Sequence, residues 1–140
     1  MSNAKIEMND VLGSWVLLSC DELSGDTPKA MYGATPQGQI QYTDEGRMSA
    51  FLMNPNWPTE GGEATRDFNR FLSYAGTWEL KDGKVHHQVT FCSLPSMIGQ
   101  TLVRSAEFVG DELHLRTEPR TSKSGKTYVQ HLRWARPLAK

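Results

Sequence analysis

Apolar and polar residues alternate with a period of two through most of the chain. The segment 13–22, GSWVLLSCDE, is apolar, rich in strand-forming residues and followed by a polar turn. Two shorter segments of the same kind follow at 38–42 and 47–53, separated by a turn at Gly46. We therefore predict that the first third of the chain consists of short antiparallel strands.

The same pattern returns in the second half of the chain. The segment GTWELKDGKVHHQVTF predicts a strand, a hairpin turn at Asp82-Gly83 and a second strand. QTLVRSAEFVGDELHLRT repeats the arrangement with its turn at Gly110-Asp111, and KTYVQHLRWAR is a final strand. Roughly eight to ten evenly spaced strands favour one antiparallel up-and-down β-barrel, because closure leaves no open sheet edge. A barrel of about eight strands is just wide enough to hold one small ligand.

One segment departs from this pattern. Its apolar residues follow a helical spacing: Ala64, Phe68, Phe71, Leu72 and Ala75. Thr59 or Glu60 would cap the start of such a helix, and Gly76 follows its end. We predict one helix near residues 60–74, inserted mid-chain and packed over the mouth of the barrel.

Length, composition and charge narrow the class of protein. The chain has 140 residues and a formal net charge of −1, which suits a single domain without a large basic surface. We divide it into an N-terminal tail at 1–10, in which 2–4 resemble a tag remnant, and a barrel domain at 11–138. With no apolar leader or membrane-length segment, we expect a cytoplasmic monomer or homodimer that binds neither nucleic acid nor membrane.

The sequence contains no pattern typical of a metal or cofactor site. Cys20 and Cys92 stand in apolar strand-like segments without metal or redox spacing, so we expect reduced thiols. His114 and His131 are isolated, and we expect both to face solvent. Phosphate-binding loops, nucleophile elbows and zinc-binding helices have no counterpart here, so we expect no metal and no cofactor.

The parity of the strands selects candidate site residues. His87 shares a face with Val85, Val89 and Phe91, and the adjacent His86 must point the other way. Because the face of His87 is the more apolar, we assign it to the barrel interior. Arg104 shares its face with Leu102, Ala106 and Phe108, and an arginine there is costly unless it meets an anion or other acceptors.

Two interpretations compete for these residues. In the functional one, His87 and Arg104 orient a ligand inside a largely apolar pocket, holding a carboxylate or polarising a carbonyl. In the structural one, Arg104 pairs with an internal acceptor and His87 with the backbone. The residues that we expect to line the pocket are His87, Arg104, Tyr74, Phe68, Phe71, Trp78, Phe91 and Met48. The packing of Phe68 and Phe71 on the barrel explains their character equally well.

Several motifs resemble a known family. Gly13-Ser14-Trp15 is similar to the G-x-W motif of the lipocalins, in which the tryptophan closes the base of the barrel and an arginine near the last strand packs over it. Arg133 or Arg136 would supply that arginine, as a cation–π contact.

The resemblance is closer to the small bacterial lipocalin-like domain proteins, members of the calycin type of barrel, and it covers nearly the whole chain. Their motifs are matched in order by Gly13-Ser14-Trp15, by 38–43, by 44–49 with one inserted residue, by Tyr74, Gly76 and Trp78, by Val85, His87, Val89, Pro95, Gly99 and Arg104, and by Leu132, Trp134 and Arg136.

Three functions are compatible with this resemblance. It implies a barrel that binds one small, mostly apolar molecule in its internal cavity. One alternative is a cofactor-independent isomerase or cyclase that uses the cavity on a hydrophobic intermediate, with His87, Arg104 and Tyr74 as its polar groups. The other is an interaction module with a filled core. We favour binding over catalysis.

Overall fold

The chain folds into one antiparallel sheet that closes on itself. The computed structural model describes residues 5–24, 27–59 and 70–138. Its helix α1 is Met8–Val11, and short 3-10 turns are Trp57–Thr59 and Pro95–Met97. The strands are β1 (Gly13–Ser24), β2 (Thr27–Ala30), β3 (Gln37–Tyr42), β4 (Arg47–Met53), β5 (Phe71–Lys81), β6 (Lys84–Cys92), β7 (Thr101–Val109), β8 (Glu112–Thr117), β9 (Arg120–Thr121) and β10 (Thr127–Ala135).

Eight of these strands form the barrel wall. Neighbours pair in the order β1, β3, β4, β5, β6, β7, β8 and β10, and β10 pairs again with β1 to close the ring. The short strands β2 and β9 extend β1 and β10 at the opposite end from Trp15. The prediction of a mainly β, antiparallel barrel is confirmed.

Tight turns join most consecutive strands. Asp82 and Gly83 both have positive φ, of 54° and 75°, as a two-residue hairpin of this handedness requires. Gly46 has φ of 85° in the turn between β3 and β4. These turns lie where the sequence predicted them, because Gly and Asp tolerate left-handed backbone that other residues avoid.

The interior has two ends. We call the end near Trp15 the base; α1 lies beside it and contributes the fully buried Val11. We call the opposite end, where β9 and the turn Pro95–Met97 lie, the mouth. Trp15, Tyr42, Trp78 and Trp134 are all at most 4% exposed and fill the lower half of the interior. The boundary predicted at residue 10 falls within α1, and Val11, the last residue of α1, is part of the base.

The predicted mid-chain helix is wrong from Phe71 onward. Phe71, Leu72 and Ala75 belong to β5, in which Leu72, Tyr74, Gly76 and Trp78 are buried and the alternate residues are more exposed. This stretch carries a period-two pattern as well as a helical one, and pairing with β4 and β6 supplies hydrogen bonds along its whole length. Ala64 and Phe68 lie outside the described residues.

Gly76 lies within β5 and does not end a helix. A Cβ atom at Gly76 would overlap the carbonyl oxygen of Gln88 on β6, and the register of the two strands shifts between Ala75 and Gly76. This β-bulge reverses the parity of β6 beyond Val89. Phe91 is consequently 59% exposed on the outer surface, so its predicted place inside the barrel is wrong.

In the described part of the chain, no helix has the length and the apolar character needed to cross a membrane.

Candidate functional site

A cavity of about 310 Å³ occupies the upper half of the barrel. Leu52, Leu72, Leu94 and Met97 border it near the mouth. Tyr74, His87, Arg104 and Cys20 border it at mid-height, and Leu132 and Trp134 border it toward the base. A space of this volume is at the small end of the range for small-molecule sites and is mostly lined by apolar side chains.

Arg104 contributes a positive charge to this cavity. It lies on β7, and its Nη1 donates to the carbonyl oxygen of Val103 at 3.2 Å. This is the one hydrogen bond of its side chain within the described residues, and no carboxylate there pairs with it. Burial lowers the pKa of Arg104 below its ordinary value, and the guanidinium nevertheless remains charged.

The described residues that line the cavity carry net positive charge. Arg120, near the mouth, borders it together with Arg104, and none of the described lining residues is an aspartate or a glutamate. Gln100, Tyr128 and Gln130 supply the neutral polar groups near the mouth. Within the described lining this positive charge has no acidic counterpart, which favours anions and strong hydrogen-bond acceptors.

His87 lies between two tyrosines. Its Nε2 is 2.7 Å from the hydroxyl oxygen of Tyr42, and its Nδ1 is 3.0 Å from that of Tyr74. Strands β3, β6 and β5 bring the three side chains together, and all three are buried. Burial, with a further contribution from the charge of Arg104, lowers the pKa of His87 to about 3, so the imidazole is neutral.

The hydrogen-bond directions in this trio follow from its burial. A neutral imidazole has one donor nitrogen and one acceptor nitrogen. Tyr42 is 2% exposed and does not border the cavity, and within the described residues its hydroxyl has only His87 Nε2 as partner. Tyr42 must therefore donate to Nε2, because its proton would otherwise be buried without an acceptor.

The hydroxyl proton of Tyr74 is consequently not used within the trio and can be donated into the cavity. With Nε2 as the acceptor, Nδ1–H of His87 donates to the Tyr74 oxygen, and the Tyr74 hydroxyl can donate to a group in the cavity that it borders. Burial raises the pKa of Tyr74, and the charge of Arg104 opposes this rise. Tyr74 and Arg104 are thus two side chains that can donate hydrogen bonds into the same cavity. Both nitrogens of His87 are already hydrogen-bonded to tyrosines.

The base differs from the cavity because it is filled and paired. Arg136 lies over the Trp15 ring, 3.8 Å from its centroid, and donates to the carbonyl oxygens of Ser14 and Asp10. The Trp15 Nε1 donates to the carbonyl oxygen of Val11 at 2.9 Å. Gly13 has φ of 104°, and a Cβ there would approach Arg136 Nη1 to 2.9 Å, which explains the glycine before this tryptophan.

Arg133 has a different position from Arg136. It forms two hydrogen bonds of 2.9 Å with the carboxylate of Glu112 on the outer surface. Glu112 also contacts His114 Nε2 at 3.0 Å, and His114 Nδ1 lies 2.9 Å from His131 Nε2. His114 is 8% exposed, so the prediction that these two histidines are isolated and face solvent is wrong. Cross-strand pairing of β8 with β10 brings them together.

The other predicted lining residues do not all reach the cavity. Trp78 and Met48 are buried below it, and Trp78 Nε1 donates to the carbonyl oxygen of Thr43 at 3.0 Å. Phe71 stacks on Trp57 at 5.7 Å on the rim, and Phe91 lies outside the barrel. Phe68 lies outside the described residues. Of the predicted set, His87, Arg104 and Tyr74 border one cavity.

Sequence reasoning missed three polar residues of this region. Tyr42 was recognisable from parity, because it alternates with Ile40 on the interior face of β3. Trp134 was identified only as part of a motif, and Arg120 was not among the predicted site residues. Nothing in the local sequence of Arg120 indicates that β9 bends back beside the mouth.

The cysteines and the potential metal ligands of the described residues are not gathered into one metal-binding cluster. Cys20 and Cys92 are both free, and burial raises the pKa of Cys20 to about 12, so it is a neutral thiol. Among the residues that the structure describes, no three His, Cys, Asp or Glu side chains are placed to hold a metal ion.

Comparison with known proteins identifies the family. The model of the family described as "Lipocalin-like domain" matches residues 12–137, which is nearly the whole chain. The chain therefore belongs to the lipocalin-like domain family. No curated protein matches it.

Proposed function

We propose that the protein binds one small, mostly apolar molecule in its barrel cavity and holds an acidic or carbonyl oxygen of that molecule with Arg104 and Tyr74. The observation that carries this proposal is the environment of Arg104. Its guanidinium borders the cavity, and its side chain has one hydrogen bond, to the adjacent carbonyl oxygen of Val103, among the described residues. This partly buried guanidinium keeps N–H donors from which a ligand oxygen can accept.

The donor geometry supports an oxygen acceptor. The trio of Tyr42, His87 and Tyr74 leaves the Tyr74 proton directed to a cavity group, and Arg104 contributes up to five N–H donors in a planar fork. A carboxylate, an enolate or a ketone can accept from both residues. An ammonium group would be repelled by Arg104 and would find no carboxylate in the described lining.

The apolar residues of the lining support a hydrocarbon body for the ligand. Leu52, Leu72, Leu115 and Leu132 border the same space as the two donors. Burial of apolar ligand surface against them supplies affinity at about 25 cal/mol per Å², and the polar pair supplies orientation.

The isomerase or cyclase alternative is less favoured. Such an enzyme needs a group that gives or takes a proton at the ligand. Both nitrogens of His87 are hydrogen-bonded to tyrosines, and its lowered pKa makes it a poor base. Tyr74 with Arg104 could still stabilise an enolate, so the same two residues would carry both functions. The cavity volume argues against the filled interaction module.

The test compares decanoic acid with 1-decanol, which have the same chain and differ in the head group. Isothermal titration calorimetry should show that the wild-type protein prefers the acid, and that Arg104→Met weakens acid binding about 10- to 100-fold, the effect of a lost charged hydrogen bond. Arg47→Met is the matched control, because it removes the same charge from an exposed position on β4. Unchanged acid affinity in Arg104→Met would contradict the proposal.

The natural ligand needs a separate measurement. Native mass spectrometry of freshly purified protein should detect a co-purified molecule with an acidic or carbonyl group, and Arg104→Met should purify without it.

A further inference from the structure

Arg120 is a second charged side chain beside the cavity. It is an exposed residue of β9 near the mouth, and with Arg104 it makes up the charged residues of the described lining. Within the part of the chain that the structure describes, Arg120 forms no hydrogen bond and no ion pair, and Arg104 has only the carbonyl oxygen of Val103. Because His87 is neutral, these two positive charges face a lining in which no described residue is acidic.

The register of β9 and β10 places Arg120 on the interior face. Arg120 pairs with Tyr128, and directly opposite residues of an antiparallel pair project from the same face of the sheet. Tyr128 borders the cavity, and so do Gln130 and Leu132, which follow it at intervals of two along β10. Since this face of β10 lines the cavity, the side chain of Arg120 belongs to the same lining.

Arg104 and Arg120 lie close together in the wall. Arg104 pairs with Thr117 on β8, and Thr117 accepts a hydrogen bond from the backbone N–H of Gln130. The partner of Arg120, Tyr128, is two residues nearer the mouth than Gln130, which corresponds to roughly 7 Å of strand. Burial is the larger cause of the lowered pKa of Arg104, and the charge of Arg120 lowers this pKa further, so the two guanidinium groups interact electrostatically.

Two neighbouring positive charges restrict the class of head group. A single carboxylate can neutralise one arginine and leaves the other without a counter-charge. Two negative charges on one small head group can neutralise both, because each planar guanidinium accepts a carboxylate or a phosphate as a bidentate partner. A second negative charge at the far end of a hydrocarbon chain would instead lie among apolar residues such as Leu115 and Leu132, where an unpaired charge is costly.

We propose that Arg104 and Arg120 jointly bind a head group with two adjacent negative charges, as in an alkylmalonate or an alkyl phosphate, and that one hydrocarbon chain extends from this head along the apolar lining. This inference rests on the proposed function, since it assumes that the head of the ligand lies at Arg104. It adds the class of ligand, a dianionic amphiphile, and it assigns Arg120 as a further binding residue.

The test compares four ligands of similar chain length on the intact protein. Decanoate is the reference. Octylmalonate adds a second carboxylate beside the first, nonyl phosphate replaces the carboxylate by a phosphate, and decanedioate places the second carboxylate at the far end. Isothermal titration calorimetry at about pH 8, where all these acids are ionised, should show at least one adjacent dianion binding about tenfold more tightly than decanoate, and decanedioate binding no more tightly.

The four affinities separate this inference from the proposed function. If decanoate binds and neither octylmalonate nor nonyl phosphate binds more tightly, the inference is overturned and the proposed function stands. An equal gain with decanedioate would also overturn it, because the two charges would then have no need to be adjacent. If none of the four ligands binds, the proposed function and the inference fall together.

Two variants locate the second charge. Arg120→Met keeps an extended side chain and removes the charge, so the ratio of dianion affinity to decanoate affinity should fall from about ten to about one to three. Arg116→Met is the matched control, because Arg116 stands between the buried Leu115 and Thr117 on the outer face of β8 and does not border the cavity. The ratio should persist in this control. Persistence in Arg120→Met, or an equal fall in Arg116→Met, would overturn the assignment.

A spectroscopic readout on the wild-type protein makes the same distinction. In ¹H–¹⁵N spectra, the Nε–H resonances of Arg104 and Arg120 should both move when the preferred dianion binds, and that of Arg116 should stay in place. The arginine-to-methionine variants assign these resonances. An Arg120 resonance that does not respond to the dianion would contradict the inference.

Discussion

The same strands build the base and the cavity, but the two regions differ in how completely their polar groups are hydrogen-bonded. At the base, Arg136 has the Trp15 ring and two carbonyl oxygens, and the indole of Trp15 has Val11. In the cavity, Arg104 has one carbonyl oxygen, and the indole of Trp134 has no partner among the described residues. Pairing at the base indicates a structural role, and the incomplete pairing in the cavity is the feature on which the proposed function rests.

The trio of Tyr42, His87 and Tyr74 lies at the boundary between these two regions. Its lower member, Tyr42, uses its hydroxyl proton on His87, and its ring centroid lies 4.6 Å from that of Trp78. Its upper member borders the cavity and retains a proton to donate. Because His87 is neutral, it accepts from Tyr42 on the base side and donates to Tyr74. The hydroxyl proton of Tyr74 is therefore available to a group in the cavity.

Removal of Trp15 should have the largest effect on stability. Trp15→Ala should lower the free energy of unfolding by about 3–5 kcal/mol, as loss of a large buried aromatic ring does. Urea unfolding followed by circular dichroism measures this change. Trp57→Ala is the control, because Trp57 lies on the rim and is only partly buried, so it should cost less. Equal losses would mean that the base is not the stabilising region.

The pH dependence of stability should show that His87 is buried and neutral. The folded pKa is about 3, below the unfolded value of 6.5, so the unfolded chain takes up a proton first as the pH falls. The stabilisation is complete above the unfolded pKa and is lost as the pH falls from 6.5 toward 3. Between about pH 7.5 and pH 5 the loss should be about 2 kcal/mol.

His87→Gln is the matched variant for this measurement, since an amide can accept from Tyr42 and donate to Tyr74 but does not titrate. The other three histidines are common to both proteins. Urea unfolding at a series of pH values should give a shallower dependence for His87→Gln. Parallel curves would show that His87 does not carry the effect and that the trio is open to water.

The smallest expected effects compare the two arginines directly. Arg136→Met should lower the free energy of unfolding by about 1 kcal/mol, because the cation–π contact and two hydrogen bonds are lost. Arg104→Met keeps most of the bulk and removes a partly buried charge that has no carboxylate partner among the described residues, so stability should stay within about 0.5 kcal/mol or rise. Thermal unfolding without ligand measures both, and a larger loss in Arg104→Met would assign Arg104 to the fold.

Strand parity was the most reliable guide to the site. The alternation in β6 and β7 placed His87 and Arg104 on the interior faces, and consecutive strands are usually neighbours, so the sequence brought both to one cavity wall. The same rule failed for Phe91, because the bulge at Gly76 depends on the contact of two backbones and has no local signature. The helical spacing around Phe71 misled for a related reason, since strand pairing outweighed a weak local period.

The resemblance to the lipocalins implied that Trp15 fills the base. The sequence by itself determined the alternation that makes a closed barrel and the turns at glycine and aspartate. These features depend on neighbours within a few residues, where side-chain direction and backbone preference are local properties. Only the tertiary structure decided which arginine covers Trp15, which tyrosine hydroxyl borders the cavity and which indole has no partner among the described residues. Hydrogen bonding of a buried group depends on atoms from distant strands, and no local pattern specifies which of them arrive.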